Sequence, residues 1–168
     1  DHGQGHEDDI ARLEFDFVSE IVPAPRRLLD IGAGAGFFAE AAALGGWQVT
    51  ALDPALTATV SEMPVTIRFI RGHLGDLPVA DRFDVITLWD VIEHAPDPRA
   101  LLKEAIWRLA PGGWLVVETG NYKSVERACD GTNHWIYQLD HRWYFSPESV
   151  EKLLTDLGLV ETRIATRA

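Results

Sequence analysis

Cysteine is nearly absent from this sequence of 168 residues, in which Cys129 is the only one. A single cysteine excludes an internal disulfide bond and a cysteine metal cage, and it suits a reducing cytoplasm. Long apolar runs are also missing, since the longest falls far short of the ~20 residues that span a bilayer, and no signal-peptide pattern is visible. We therefore expect a cytoplasmic protein with no membrane partner.

Positive charge is scarce as well, with 15 lysine and arginine residues against 26 aspartate and glutamate residues, a formal net charge of −11. A nucleic-acid backbone requires a positively charged surface, so nucleic acid is not an expected partner. Hydrophobic residues make up 46% and charged residues 24%, which is typical of a globular chain. The length predicts one domain, residues 1–168, whose oligomeric state the sequence leaves open.

The two ends differ from the rest of the sequence. Residues 1–9 are polar and acidic, which predicts a flexible segment whose His2 and His6 are solvated rather than metal-bound. Asp1 is not a natural start, and the sequence stops just after the strand-like Val160–Ala165. The sequence is therefore compatible with a trimmed piece of a longer protein.

Strand-like and helix-like segments alternate between these ends, which predicts a Rossmann-like, doubly wound, mostly parallel α/β sheet with helices on both faces. The predicted strands cover residues 28–31, 47–52, 66–70, 84–89 and 114–119. The predicted helices cover residues 10–22, 37–44, 55–61, Pro98 to the turn at Pro111-Gly112-Gly113, and Pro147 to Gly158. No clear final antiparallel strand follows.

The most informative segment is 28–38, where an apolar strand ends in Asp30 and glycines follow at positions 32, 34 and 36. A glycine turn between a parallel strand and a helix binds nucleotide-like ligands. A dinucleotide would place its pyrophosphate against this turn, where the Asp30 carboxylate would repel it. S-adenosylmethionine instead carries an ammonium and a sulfonium group, which a carboxylate attracts. Asp30 therefore favours this methyl donor over the nicotinamide cofactors.

A second acid, Asp53, lies 21 positions after Gly32 at the end of the next predicted strand. Its two oxygen atoms can accept hydrogen bonds from both hydroxyl groups of an adenosine ribose, a feature shared with dinucleotide enzymes. The glycine spacing does discriminate, because a G-x-G-x-x-G fingerprint requires glycine at position 37, where this chain has Phe37.

Residues 120–145 form an unusually long link between the fifth strand and the last helix, where about 4–6 residues are usual. The link is rich in aromatic residues and contains His134 and His141. Aromatic content of this kind argues against disorder, and ligands of open parallel sheets bind where this link begins. We expect a substrate-side lid, and the alternative is a satellite core.

Taken together, these features resemble the class I S-adenosylmethionine-dependent methyltransferases over nearly all of Leu28 to Gly158. The matching motifs are Leu29-Asp30-Ile31-Gly32-Ala33-Gly34-Ala35-Gly36, Leu52-Asp53, Gly72 with Leu77-Pro78, Phe83-Asp84-Val85-Ile86, Val91-Ile92-Glu93-His94-Ala95-Pro96-Asp97-Pro98, Leu109-Ala110-Pro111-Gly112-Gly113 and Asp140-His141-Arg142-Trp143-Tyr144-Phe145-Ser146-Pro147. The glutamate-histidine step and the Pro-Gly-Gly turn are similar to those of quinone-biosynthesis and related small-molecule methyltransferases. These motifs are specific for the class, but they contain almost no information about the substrate.

The resemblance implies which residues contact the cofactor, S-adenosylmethionine, whose product is S-adenosylhomocysteine. The methionine end would lie against Asp30 and the backbone of Gly32, Ala33 and Gly34, with Leu88 and Trp89 beside the sulfonium. The adenosine would lie against Asp53 and Pro54. Where the family often has an acid for the adenine amino group, this chain has His73 followed by Leu74. Either a neutral His73 nitrogen or the Leu74 backbone would take that role.

The implied reaction is an in-line displacement that moves the methyl group to a small-molecule acceptor. Its main requirements are alignment and exclusion of water, and a base is needed only if the acceptor must lose a proton. His94 and His141 are the candidate catalytic residues, each weighed against a shaping or anchoring role. No spacing of ligand residues predicts a metal site. The alternatives are a non-catalytic cofactor-binding or interaction domain of a longer protein and an NAD(P)-dependent reductase.

Overall fold

The computed structural model describes residues 2–22, 26–56 and 67–166. Within these residues the helices are α1 (His2–Ile21), α2 (Phe37–Leu44), α3 (Pro98–Trp107), α4 (Val125–Asp130) and α5 (Pro147–Asp156). The strands are β1 (Arg27–Ile31), β2 (Gln48–Asp53), β3 (Ile67–Arg71), β4 (Phe83–Trp89) and β5 (Leu109–Glu118). The short helix predicted at 55–61 lies largely outside the described residues.

The five strands form one sheet in the order β3-β2-β1-β4-β5. β1 pairs in parallel with β2, with Asp30 opposite Ala51, and β2 pairs in parallel with β3. β1 also pairs in parallel with β4, where Asp30 is opposite Thr87. The strand order reverses between β1 and β4, so the carboxyl ends of these two strands open at the switch point where α/β sheets bind ligands, with the end of β2 next to it. The predicted Rossmann-like fold class is confirmed.

The chain divides into two compact units, one made of residues up to Trp89 with Ala105–Val116 and the other of Asp90–Glu104 with the residues from Val117 onward. The core of the first unit contains β1, β2 and β4 residues with the apolar faces of α1 and α2. Its members include Val18, Val22, Leu28, Phe38, Ala39, Ala42, Trp47, Val49, Ala51 and Val85. A continuous apolar strand such as β4 is typical of a sheet that is covered on both faces.

The second unit contains the long link, which forms α4 and two 3₁₀ turns rather than an irregular loop. Its end is fixed by main-chain bonds: the Tyr122 amide donates to the Phe145 carbonyl (2.7 Å), and the Arg142 amide donates to the Glu93 carbonyl (2.8 Å). Ser146 then caps α5, accepting a hydrogen bond from the Ser149 amide, with Pro147 at the first position. The predicted start of the last helix is confirmed.

Three predicted bounds differ from the structure. α1 begins at His2, so it includes residues 2–9, for which the sequence predicts flexibility. α3 ends at Trp107 and β5 begins at Leu109, so the Pro111-Gly112-Gly113 turn lies within the strand rather than at the helix end. Residues 160–165 alternate like a strand but form none, because strand pairing needs a neighbour and the described residues offer none there. Within the described ranges, no helix combines the length and apolarity that crossing a membrane requires.

Candidate functional site

The turn after β1 is built on glycines that adopt left-handed backbone angles. Gly32, Gly34 and Gly36 have φ values of 79°, 51° and 86°, which disfavour any residue with a Cβ atom. The amides of this turn are already used inside the protein: Gly32 and Ala33 donate to the Leu52 carbonyl (2.8 and 3.2 Å), and Gly36 donates to the Ala33 carbonyl (2.7 Å). These three amides are therefore not available to a phosphate group.

Asp53 at the end of β2 is tied directly to the glycine turn. Its Oδ2 accepts a hydrogen bond from the Gly34 amide (3.0 Å), and its Oδ1 accepts one from the Ala55 amide (2.6 Å). An ionised carboxylate has about four lone-pair positions, so both oxygen atoms can still accept from a ligand. Asp53 is only half-buried, and the predicted pair of Asp53 with the glycine turn is brought together by the structure.

Asp30 is almost completely buried, with 2% of its surface exposed. Thr87 of β4 donates a hydrogen bond of 2.8 Å to its Oδ1. Burial raises the pKa of Asp30 from 3.8 to about 7; the Thr87 bond opposes this rise, and the negative charges of Glu14 and Asp53 add to it. A nearby cation would stabilise the ionised form of this buried carboxyl group, because opposite charges attract strongly where water is excluded.

His73 and Leu74, predicted to contact the adenine, begin the short 3₁₀ turn after β3. The His73 amide donates to Asp76 Oδ2 (2.7 Å), and the Gly72 amide donates to the Asp53 carbonyl (3.1 Å). Leu74 is buried, whereas His73 is exposed. Pro54 follows Asp53 directly and is exposed too. The structure therefore places this predicted group around the end of β2.

Arg108 is a residue of this region that sequence reasoning missed. It is 97% buried, and its guanidinium donates to the carbonyl oxygens of Leu74 (2.6 Å), Pro78 (3.1 Å) and Leu77 (3.5 Å). The side chain thus fixes the segment that follows β3. Its only sequence signal was a charged residue just before an apolar strand.

Leu88 and Trp89 behave differently from each other at the end of β4. Leu88 is completely buried, opposite Ile31 of β1, so it stabilises the sheet and presents no surface to a ligand. Trp89 is partly exposed, and its ring packs against Phe38 of α2 with the ring centres 5.0 Å apart. Of this predicted pair, only Trp89 has surface available for a ligand.

The two candidate catalytic histidines lie together in the second unit. The ring centres of His94 and His141 are 4.7 Å apart, with the rings nearly perpendicular at 77°. Glu93, a second residue whose role the sequence did not reveal, is buried beside them, with 2% of its surface exposed. The link from 120 to 145 therefore brings His141 to the residues that follow β4.

The chain matches known proteins over nearly its whole length. Residues 5–162 match the methyltransferase domain family. The ubiquinone biosynthesis O-methyltransferase of Psychrobacter arcticus is 31% identical over 164 residues, which cover 88% of this chain and 64% of that protein. The protein of the same name from Chromobacterium violaceum is 31% identical, covering 90% and 72%. The chain thus spans less than two thirds of the length of the first of these relatives.

Solved structures share the fold. The plantazolicin methyltransferase BpumL, in complex with SAH, superimposes with a TM-score of 0.70 at 20% identity, covering 88% of this chain and 62% of that one. A SAM-dependent methyltransferase from Archaeoglobus fulgidus gives 0.69 at 21% identity, covering 90% and 68%. Identities this low show the fold alone. With the family match over residues 5–162, they lead to one conclusion: the chain belongs to the methyltransferase domain family.

Proposed function

We propose that the chain transfers a methyl group from S-adenosylmethionine to a small-molecule acceptor and leaves S-adenosylhomocysteine as product. The observation that carries this proposal is the donor and acceptor pattern of the first unit. The glycine-turn amides of Gly32, Ala33 and Gly36 are used internally, while the Asp30 and Asp53 carboxylates lie at the carboxyl ends of β1 and β2. Two carboxylates at this edge of the sheet favour a cationic nucleoside over a ligand that places a phosphate group there.

The residues of the first unit fit S-adenosylmethionine at both its amino-acid end and its adenosine end. Burial leaves Asp30 with a raised pKa, so a cationic ammonium nearby would favour its ionised form. The Asp53 oxygen atoms can accept from two ribose hydroxyl groups while keeping their bonds to the Gly34 and Ala55 amides. Arg108 fixes the Leu74–Pro78 segment, where the nucleobase contacts from His73 and Leu74 are expected.

When bound, S-adenosylmethionine supplies an already activated methyl group, so the work of the chain is alignment and exclusion of water. Asp30 would orient the amino-acid end, and Asp53 would orient the ribose. Trp89 would cover the cofactor on one side through its packing against Phe38. A misplacement of about 1 Å in such an arrangement can reduce the rate about a hundredfold.

The relatives named as O-methyltransferases favour an oxygen acceptor for this chain. A hydroxyl group reacts as a nucleophile more readily once its proton is removed. His94 and His141 are the residues that we propose for this step, since they lie together in the second unit. The net charge of −11 and the single Cys129 support action in the cytoplasm on an acceptor other than nucleic acid.

Two alternatives make different predictions. A non-catalytic domain would bind S-adenosylmethionine without turning it over, and an NAD(P)-dependent reductase would bind a nicotinamide instead. The Asp30 carboxylate before the glycine turn disfavours the reductase, because the cofactor of a reductase contains a negatively charged pyrophosphate. The non-catalytic alternative is decided by measuring turnover.

The test is calorimetric titration of the chain with S-adenosylmethionine, S-adenosylhomocysteine, NADH and NADPH, followed by a screen of hydroxyl-bearing acceptors for S-adenosylhomocysteine release. We expect the two adenosyl-sulfur ligands to bind and the nicotinamides not to bind. Binding of a nicotinamide alone would overturn the cofactor assignment. Binding of S-adenosylmethionine with no turnover of any acceptor would favour the non-catalytic domain.

A further inference from the structure

Three potential metal ligands from two separate parts of the sequence lie together in the second unit. One nitrogen atom from each of His94 and His141 and one carboxylate oxygen atom of Glu93 all lie within 4.8 Å of one another. Two of these residues directly follow β4, and the third lies 47 positions later in the long link. No motif in the sequence predicts that these three residues lie together.

The Glu93 carboxylate is the strongest indication that something binds here. The side chain is buried, and neither of its oxygen atoms makes a hydrogen bond with a described residue. Burial raises the pKa of Glu93, and its own amide and the Thr119 hydroxyl are near enough to oppose this rise, although neither is in hydrogen-bonding geometry with the carboxylate. A buried carboxylate without a partner is unfavourable unless a cation or a donor compensates its charge or a proton neutralises it.

In both imidazole rings the Nδ1 atom lies beside an oxygen atom of the protein. The Nδ1 atom of His94 lies 3.2 Å from the Asp140 carbonyl oxygen and 3.5 Å from its carboxylate. The Nδ1 atom of His141 lies 2.8 Å from the Ile136 carbonyl oxygen. When Nδ1 donates to such an oxygen, the lone pair is fixed on Nε2, and this is the outer arrangement that metal-binding histidines typically have.

We propose that Glu93, His94 and His141 bind a divalent first-row transition-metal cation, with Zn²⁺ as the probe. Two imidazole nitrogen atoms and one carboxylate oxygen are a ligand set that Zn²⁺ and its neighbours accept, whereas Mg²⁺ and Ca²⁺ prefer oxygen atoms alone. Bonds of about 2.0–2.2 Å require ligand atoms roughly 3.3 Å apart in a tetrahedral site. The ligand atoms would therefore draw together by a small side-chain movement.

Three protein ligands leave a position on the cation for an oxygen atom of another molecule. A hydroxyl group bound at this open position would have a lowered pKa because of the positive charge of the cation. It would then lose its proton without the histidine base that is otherwise proposed. A ligating imidazole has no lone pair left for a proton, so in the metal-bound chain the cation takes over the step proposed above for the two histidines, which act as bases only in the metal-free chain. The metal proposal does not rest on methyl transfer, because cation binding is measured on the chain without cofactor or acceptor.

The first experiment is calorimetric titration of Zn²⁺ into the purified chain and into Glu93→Gln, His94→Gln and His141→Gln. We expect one tight site per chain and a loss of at least tenfold in affinity in each variant. His6→Gln is the matched control, because His2 and His6 are four positions apart in the sequence, a spacing that also occurs in zinc sites. Zinc affinity unchanged in the three cluster variants, or lost in His6→Gln, would overturn the proposal.

A second measurement holds even if a variant fails to fold. Cobalt(II) added to the unaltered chain should give the visible absorption of a four- or five-coordinate nitrogen and oxygen site, and one equivalent of Zn²⁺ should remove it. No such absorption would count against the site. A thiolate-to-cobalt band would point to Cys129, which is exposed, and would equally contradict the proposal.

Discussion

The Thr87 hydroxyl of β4 donates a 2.8 Å hydrogen bond to the buried carboxylate of Asp30 on β1, across a parallel strand pair in which the two residues are directly opposite. This bond stabilises the ionised form of an acid that burial otherwise holds protonated up to a pKa of about 7. The pKa of Asp30 is thus close to neutral pH, where a cationic ligand changes the ionised fraction of the carboxylate most.

The raised pKa of Asp30 predicts how stability depends on pH. The folded state keeps this proton up to about pH 7, whereas the unfolded chain loses it near 3.8. The stabilisation is therefore complete below about pH 3.8 and is lost as the pH rises through 7. Asparagine does not titrate, so the stability of Asp30→Asn lacks this decline with pH. Thermal unfolding should therefore show that the variant gains stability relative to the original chain from pH 5 to pH 8. A constant difference would contradict the prediction.

Thr87→Val gives the matched test of the hydrogen bond. The valine keeps the shape of threonine but removes the donor, so the pKa of Asp30 should rise further. The decline in stability should then continue to a higher pH, while its start, which the unfolded chain sets, stays the same. Unfolding midpoints measured at half-unit steps from pH 5 to 9 would show the shift, and an unmoved decline would mean that this bond does not tune Asp30.

Asp30 should also make cofactor binding depend on pH. Raising the pH from 6 to 7.5 ionises Asp30 in the free protein, so the affinity for S-adenosylhomocysteine, whose amino group stays protonated, should rise several-fold. In Asp30→Asn the affinity should be several-fold weaker and nearly constant over the same range. Calorimetric titration at both pH values checks this, and an equal rise in both proteins would remove Asp30 from the site.

Alanine substitutions at two glycines distinguish the effect of backbone strain on stability from an effect on ligand binding. Gly34 and Gly46 both have positive φ values, 51° and 85°, and a Cβ at either would meet no atom closer than 4.0 Å. Alanine at either position should cost about 1–2 kcal/mol of stability because of the left-handed backbone. Only Gly34→Ala should also weaken S-adenosylhomocysteine binding, since the strained backbone would displace the amide that donates to Asp53. Equal binding by both variants would contradict the placement of the site at this turn.

Arg108 should matter to both stability and binding. Arg108→Met removes the donor that three carbonyl groups of the 74–78 segment share, and we expect a loss of about 2–4 kcal/mol. Binding of the adenosine ligand should weaken several-fold. Arg82→Met is the control, because Arg82 bonds the carbonyl groups of Val79 and Asp81 closer to the surface and should cost less than about 1 kcal/mol. Chemical denaturation of both variants decides the comparison.

The sequence was sufficient for the features that depend on local pattern. The strand ending in Asp30, the glycine turn and the following α2 were predicted with α2 at its observed bounds, because apolar periodicity and left-handed glycines act over a few residues. The position of Asp53 beside this turn also followed, since parallel strands end at the same edge of a sheet. The start of β5 did not follow, because Pro111-Gly112-Gly113 is typical of a turn but here lies within a strand.

Tertiary structure alone decided the properties that depend on distant neighbours. The pKa of Asp30 is set by burial, by Thr87 57 positions later and by Glu14 on α1, none of which its own segment contains. The grouping of Glu93 and His94 with His141 depends on where the long link returns. Local sequence fixes backbone conformation, whereas protonation and ligand geometry depend on desolvation and on charges that only the folded chain brings together.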